Sequence, residues 1–336
     1  MSSVATTSWH PYLATMRLPL ALAFATFALS SCVTRQSVSR GSSELPAGTE
    51  AVSLFDEPLL APPLTAADRV VGEADLAKWR AIWAAHSDSA LALVWVGRKL
   101  AALYRFQEAI ATWTDGMNRF PGDPRFARFR GYRYVTVRNF EAAVKDLEQS
   151  YAVLRSRPDW EEPEDPPNPP GTHTGSIQAG NRYQLALAHY LLGHFDAAAA
   201  VQREDLEHAT NPDTRIASSY WHVMTLKRLG RDAEATRLLA GFSRDSKVDH
   251  STAYLRLLLL FKGDLPVDSI APRVTDTAPT LEEATLNYGV GVWHLVAGRR
   301  DAAIASFRRS RAGLWAGFGA IAAEAELKRL GVAVRP

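Results

Sequence analysis

Residues 93–113 read Leu93-Val94-Trp95-Val96-Gly97-Arg98-Lys99-Leu100, then Phe106-Gln107-Glu108-Ala109, then Trp113. Residues 127–147 read Ala127-Arg128-Phe129-Arg130-Gly131-Tyr132-Arg133-Tyr134, then Phe140-Glu141-Ala142-Ala143, then Leu147. Gly97 to Gly131, Phe106 to Phe140, Ala109 to Ala143 and Trp113 to Leu147 are all separated by 34 residues. Four coincident offsets of one length mark two copies of a single structural unit. Apolar residues three and four apart lie on one face of a helix, so each copy supplies two amphipathic helices separated by a short turn. Gly97 and Gly131 leave space where the second helix approaches the first. Ala109 and Trp113, four apart on that second helix, place a small and a large side chain at the crossing. Pro121 ends the first copy because its ring cannot continue a helix.

The period and the residue classes resemble the tetratricopeptide repeat (TPR), a helix–turn–helix unit that stacks into a solenoid. The rest of the chain reads as looser copies. Leu76, Trp79, Ile82 and Trp83 form an apolar stripe on a leading helix that begins near Ala66. The two clear copies occupy about 88–121 and 122–155. Residues 156–180 interrupt them with a Pro-rich acidic insertion, Arg157-Pro158-Asp159-Trp160-Glu161-Glu162-Pro163-Glu164-Asp165-Pro166. Phe140 to Phe195 is 55 residues, one period plus about 21 inserted residues. A third unit spans 181–212. A fourth carries Tyr220, Trp221, Leu226 and the turn Gly230-Arg231-Asp232-Ala233. The same turn recurs at Gly298-Arg299-Arg300-Asp301-Ala302, two periods later, so a degenerate unit lies between, with Leu255–Phe261 as its first helix and Pro266 opening its second. A final unit and a closing helix at 313–330 follow. The expected fold is therefore all-α, a TPR-type helix–turn–helix solenoid of about five to six repeats over 66–336, with leading and closing helices.

The amino-terminal part reads differently. Arg17 precedes an apolar run from Leu18 to Leu29, and Leu29-Ser30-Ser31-Cys32 follows. A positive start, a short apolar core and small residues before a cut are the marks of an export signal. The last four residues resemble the bacterial lipobox, in which the cysteine is lipidated and becomes the new amino terminus. Cys32 is the sole cysteine of the chain. Residues 1–31 are thus expected to be a lipoprotein signal peptide, with Met16 a candidate start. By resemblance to Gram-negative lipoproteins, Val33 implies sorting to the outer membrane, facing the periplasm; a Gram-positive host would place the protein on the outer face of its cell membrane. Residues 32–65, rich in Ser, Thr, Gly and Pro, read as a flexible tether, with Leu54, Phe55, Leu59 and Leu60 able to dock on the end of the solenoid.

Of the 336 residues, 47% are hydrophobic and 22% charged, with 38 basic and 36 acidic side chains. So balanced a charge supplies no global field to steer the chain onto nucleic acid. No His-Glu-x-x-His, calcium loop, nucleophile elbow or phosphate-binding Gly-x-x-x-x-Gly-Lys run is present, and His189 and His194 are out of phase for one helical face. Neither a metal, a cofactor nor a catalytic set is implied. In TPR solenoids the first helix of each unit lines the concave groove. Carried onto this chain, those positions include Arg98, Arg125, Arg128, Tyr132, Tyr183, Tyr190, Tyr220 and Lys227. Guanidinium forks beside phenol rings suit a peptide carboxylate or an acidic segment. The chaperone-tail clamp of some TPR domains is not carried over, because Val94 and Arg98 stand at two of its positions. The functional expectation is an exported, lipid-anchored module that binds or scaffolds a protein or peptide partner. The alternative is an envelope enzyme whose site is formed by the 156–180 insertion, with Trp160, His173 and its acidic run, over the groove.

Overall fold

Five helical hairpins succeed one another along the chain, in a computed structural model that describes residues 45–162, 164–165, 175–270 and 278–333. The expected export signal, Cys32, the expected tether as far as residue 44, His173 and residues 271–277 lie outside the described residues. A leading helix α1 (Ala66–Ala85) precedes the hairpins α2 (Ala90–Ala102) with α3 (Phe106–Arg119), and α4 (Pro124–Thr136) with α5 (Phe140–Leu154). After the insertion come α6 (Ile177–Leu192) with α7 (Phe195–Glu207), and α8 (Pro212–Arg228) with α9 (Asp232–Leu239). The degenerate unit is the single helix α10 (Thr252–Lys262) and a 3-10 turn at Val267–Ser269. The last hairpin is α11 (Leu281–Val296) with α12 (Arg300–Arg311), followed by α13 (Phe318–Arg329). Each helix packs on the next in sequence, as a helical solenoid requires.

The repeat is a packing rule made visible. The alanine three residues into each second helix (Ala109, Ala143, Ala198, Ala235 and Ala303) has no solvent exposure. A Cβ at Gly97 would stand 2.2 Å from Trp113 Nε1, at Gly131 2.7 Å from Leu147 Cγ, and at Gly291 2.5 Å from Phe307 Cε1. The small residue of the first helix therefore meets the large residue of the second in the first, second and last hairpins. Helix starts are equally local. Ser89, Asp123, Asn139, Ser176 and Asn211 accept backbone N–H bonds at their N-caps, and Pro124 and Pro212 occupy first turns, where the missing N–H is harmless. The insertion gives way to helix at Ile177, four residues earlier than the sequence suggests.

The turn inside each hairpin needs one left-handed residue. Gly193, Gly230 and Gly298 fill it at φ 81°, 68° and 74°. In the first two hairpins the same place holds Tyr104 at 60° and Arg138 at 68°. A side chain there costs roughly 1–2 kcal/mol over glycine, so Arg138 needs a compensating contact.

Two expectations are corrected here. Residues 45–65, read as the end of a tether, are ordered. Strands β1 (Thr49–Val52) and β2 (Pro58–Leu60) form a short antiparallel ribbon. A ribbon this small needs support. It receives it from Gln107, whose backbone and side chain bond Glu50, and from the Arg311–Glu57 ion pair. The Trp315 indole N–H also donates to the Leu60 carbonyl. Nor does the closing helix merely cover the last hairpin. From Gly319 to Leu327 every residue of α13 is buried. It packs on α11 and α12 and reaches back to α6. Alanines at 320, 322, 323 and 325 make it thin enough to enter the inner surface of the solenoid, and Gly319 lets its backbone pass close to the Ala284 carbonyl of α11. The row of hairpins is thus curled around its own last helix.

Candidate ligand groove

The inner surface is already occupied by two segments of the chain itself. The first is the described acidic part of the insertion. Its ends are pinned together: Glu161 and Ser176 form an antiparallel bridge, Glu162 N–H donates to the Gly175 carbonyl, and Ile177 N–H donates to the Trp160 carbonyl. Glu162, Glu164 and Asp165 then run across α1, α2 and α4. Arg128 forks onto Glu162, with Nη1 to Oε1 at 3.1 Å and Nη2 to Oε2 at 2.5 Å. Its guanidinium occupies the space that a Cβ at Gly180 would take, 2.0 Å from Nη2. Arg98 donates to Glu164 at 3.0 Å, lies 3.6 Å from Glu162, and stacks 4.1 Å above the Trp95 ring.

Asp165 is the most tightly held of the three. Lys78 Nζ donates to Oδ1 at 2.9 Å, Trp79 Nε1 donates to Oδ2 at 2.6 Å, and Lys99 Nζ donates to the Asp165 carbonyl at 2.7 Å. Trp79 is itself stacked on Trp95, with centroids 5.3 Å apart. Partial burial pushes the Asp165 carboxyl up, but the hydrogen bonds from Lys78 and Trp79 and the charges of Lys99 and Lys78 outweigh it and hold the group at about 2. The carboxylate is therefore charged at any pH near neutrality, and its grip is lost only as pH falls from the ordinary aspartate range toward 2.

The second occupant is α13. Glu324 and Glu326 are buried to 2% and 1% exposure. Glu324 accepts from Arg138 Nη2 at 3.0 Å and from the Leu54 backbone N–H at 2.5 Å. Arg138 also donates to the Thr136 and Trp315 carbonyls, which satisfies its fork. This is the contact that offsets the left-handed backbone of Arg138. Glu326 accepts from Arg228 at 2.6 Å and pairs with Arg329 at 2.8 Å, and both arginines lie over the Phe195 ring. Burial raises the Tyr190 phenol to about 12, with the Glu326 charge adding to it, so the Tyr190–Tyr288 hydroxyl pair beside the helix stays neutral.

The eight residues named from the sequence fall into three groups. Arg98 and Arg128 meet on the acidic segment. Tyr132 and Tyr183 face Phe318 at the start of α13, at 5.7 and 6.2 Å between rings. Of the other four, two are buried in the core and two are held in local ion pairs. Tyr190 and Tyr220 are 1% exposed, Arg125 pairs with its own N-cap Asp123, and Lys227 pairs with Asp232 in the α8–α9 turn. Helical position alone named Arg98 and Arg128 but passed over Lys78, Trp79, Trp95 and Lys99. Trp79 was read as core, and it is the indole N–H of that same residue that holds Asp165. Among the described residues no group of three or more His, Cys, Asp or Glu is placed to hold a metal, and no helix is long and apolar enough to cross a membrane.

No protein-family model matches this sequence, and no curated protein matches it. Several solved structures are similar in fold, among them two repeat proteins. One is the crystal structure of YrrB, described as a TPR protein with an unusual peptide-binding site, at 12% identity and TM-score 0.41 over 69% of this chain and 90% of that one. The other is a tetratricopeptide repeat protein from Parabacteroides merdae, at 16% identity and TM-score 0.43 over 72% of this chain and 88% of that one. What the groove of this chain holds is read from its own contacts.

Removing one partner of a buried ion pair leaves the other charge uncompensated, at about 3–5 kcal/mol. Glu324→Gln is therefore expected to lower unfolding free energy in urea by that order. Arg138→Gly combined with Glu324→Gln is expected to recover part of the loss, since glycine also relaxes the turn. A single variant as stable as wild type would remove this pair from the account of α13.

Proposed function

We propose that this chain is an exported, lipid-anchored binding and scaffolding module whose groove takes an extended acidic segment. The observation that carries the reading is the clasp on residues 162–165. A fork on Glu162, a stacked arginine on Glu164 and an indole–lysine cradle on Asp165 make three consecutive carboxylate subsites along one strand of chain. Charge-assisted, partly bidentate contacts of this kind discriminate carboxylates from other polar groups. The chain's own segment is then the resident occupant, and an acidic stretch of a partner is the competitor.

Side-chain exposure is 36% at Glu164 and 16% at Asp165, so water and a competing peptide have access. The pairs Lys78–Asp165 and Arg98–Glu164 are the more exposed of the clasp, and exposed pairs contribute little stability individually. The covalent connection of the insertion to α5 and α6 raises the local concentration of the resident segment, which a free peptide must overcome. A partner is therefore expected to present several acidic residues in extended form, not a single carboxylate.

A fluorescein-labelled peptide Glu-Glu-Pro-Glu-Asp tests this by anisotropy. A full-length variant carrying Glu162→Gln, Glu164→Gln and Asp165→Asn vacates the subsites and is expected to bind the peptide more tightly than wild type by roughly tenfold or more. Adding Arg98→Gln and Arg128→Gln is expected to abolish the gain with helicity by circular dichroism unchanged. Equal, weak anisotropy in all three proteins at low salt would overturn the acidic-segment reading.

The site of action rests on Leu29-Ser30-Ser31-Cys32 and on Val33, which favour lipidation at Cys32 and outer-membrane sorting toward the periplasm. With Cys32→Ala the protein is expected to shift from the membrane to the soluble fraction and to lose metabolic labelling by palmitate. Unlabelled wild-type protein would contradict the anchor.

A further inference from the structure

A separate cavity of about 410 Å3 lies between α2, α4, α10, α11 and the linker at 314–318. Its wall includes Tyr104, Phe106, Tyr132, Tyr254 and Phe318, and one cation, Arg133. The Arg133 guanidinium lies over the Phe106 and Tyr132 rings, at 4.9 and 4.5 Å. Its Nε is sealed from solvent with no hydrogen-bond partner, and its Nη1 makes a long 3.3 Å bond to the Thr136 hydroxyl.

The contrast with the other arginines of the interior decides the reading. Arg128 is paired with Glu162, Arg130 with Asp146, Arg138 with Glu324 and Arg182 with Asp205. Among the described residues no carboxylate pairs with Arg133. Burial pushes its pKa down, with only the Tyr132 phenol acting against that. A guanidinium nevertheless keeps its proton in a protein. A desolvated charge without a counter-charge is unfavourable, and an anion from solution relieves it.

We infer that this cavity is a binding site for a small monocarboxylate with an apolar body, its carboxylate on Arg133 and its body among the aromatic rings. The size falls within the range of small-molecule sites, which are mostly apolar with a few placed polar groups. One guanidinium matches one carboxylate; a phosphate dianion would call for a second cation, and no other cation lines this wall. The site shares no residue with the acidic clasp, so it stands or falls independently of the groove reading.

Isothermal titration calorimetry on the full-length protein tests it with 3-phenylpropionate and its uncharged counterpart 3-phenylpropanol. Saturable binding of the acid is expected, with the alcohol weaker by roughly tenfold or more. Arg133→Met is expected to lose the acid's advantage over the alcohol, whereas Lys145→Gln, exposed on α5 and outside the cavity, leaves it intact. Arg133→Lys, which keeps the charge, is expected to restore part of it should Arg133→Met fold poorly. No saturable heat with the acid up to roughly 5 mM, or acid and alcohol binding wild type equally, would overturn the assignment.

Discussion

The Glu324 carboxylate joins three parts of the chain that are far apart in sequence. It accepts from Arg138 at the α4–α5 turn and from the Leu54 N–H of the β ribbon, and it sits on α13. Two residues further along, Glu326 joins the same helix to Arg228 at the end of α8. Burying four charged groups is not in itself a source of stability, because desolvation offsets most of the Coulomb attraction. Their value lies in register. A helix of alanines presents a nearly uniform surface and fits a channel at several depths. Two glutamates that each require an arginine permit one depth only. The rest of the interior follows from that placement: Phe318 comes to rest on Tyr132 and Tyr183, and Arg329 bonds the Leu191 carbonyl.

The two occupants of the inner surface differ in how firmly they are held. Helix α13 is buried along its length, so its departure requires the ribbon, the α4–α5 turn and the last hairpin to separate together. The acidic segment is partly exposed and held by charge-assisted contacts. Segments of the second kind open locally at much lower free energy than the core. The inner surface thus has one part filled by a buried helix and one filled by carboxylates on arginine, lysine and indole. The proposed binding role belongs to the second part.

The repeat was legible in the sequence because it is a rule of contact between near neighbours. Gly97 answers Trp113, Gly131 answers Leu147, and the zero-exposure alanines recur at fixed places. Such contacts lie within one unit and leave a period. The contents of the groove leave none, since Glu324 meets Arg138 across 186 residues and Asp165 meets Trp79 across 86. Helical position placed Arg98 and Arg128 on the inner face but also nominated Tyr190 and Tyr220, which Trp221, Tyr254 and Tyr288 cover. One signal was present and passed over: Arg138 stands at the turn position that glycine holds in three other hairpins. A strained backbone retained at one repeat points to a side chain needed there. The ribbon at 49–60 was misread because Ser, Gly and Pro suggest a tether, and two strands this short gain their order only from the helices beside them.

Amide hydrogen exchange, read by mass spectrometry on the intact protein, tests the helix-filled interior most directly. Residues 320–327 of α13 are expected to exchange as slowly as 286–292 of α11, at the rate of global unfolding. Exchange of 320–327 on the fast time scale of frayed termini, with α11 still protected, would contradict a solenoid closed around its own last helix.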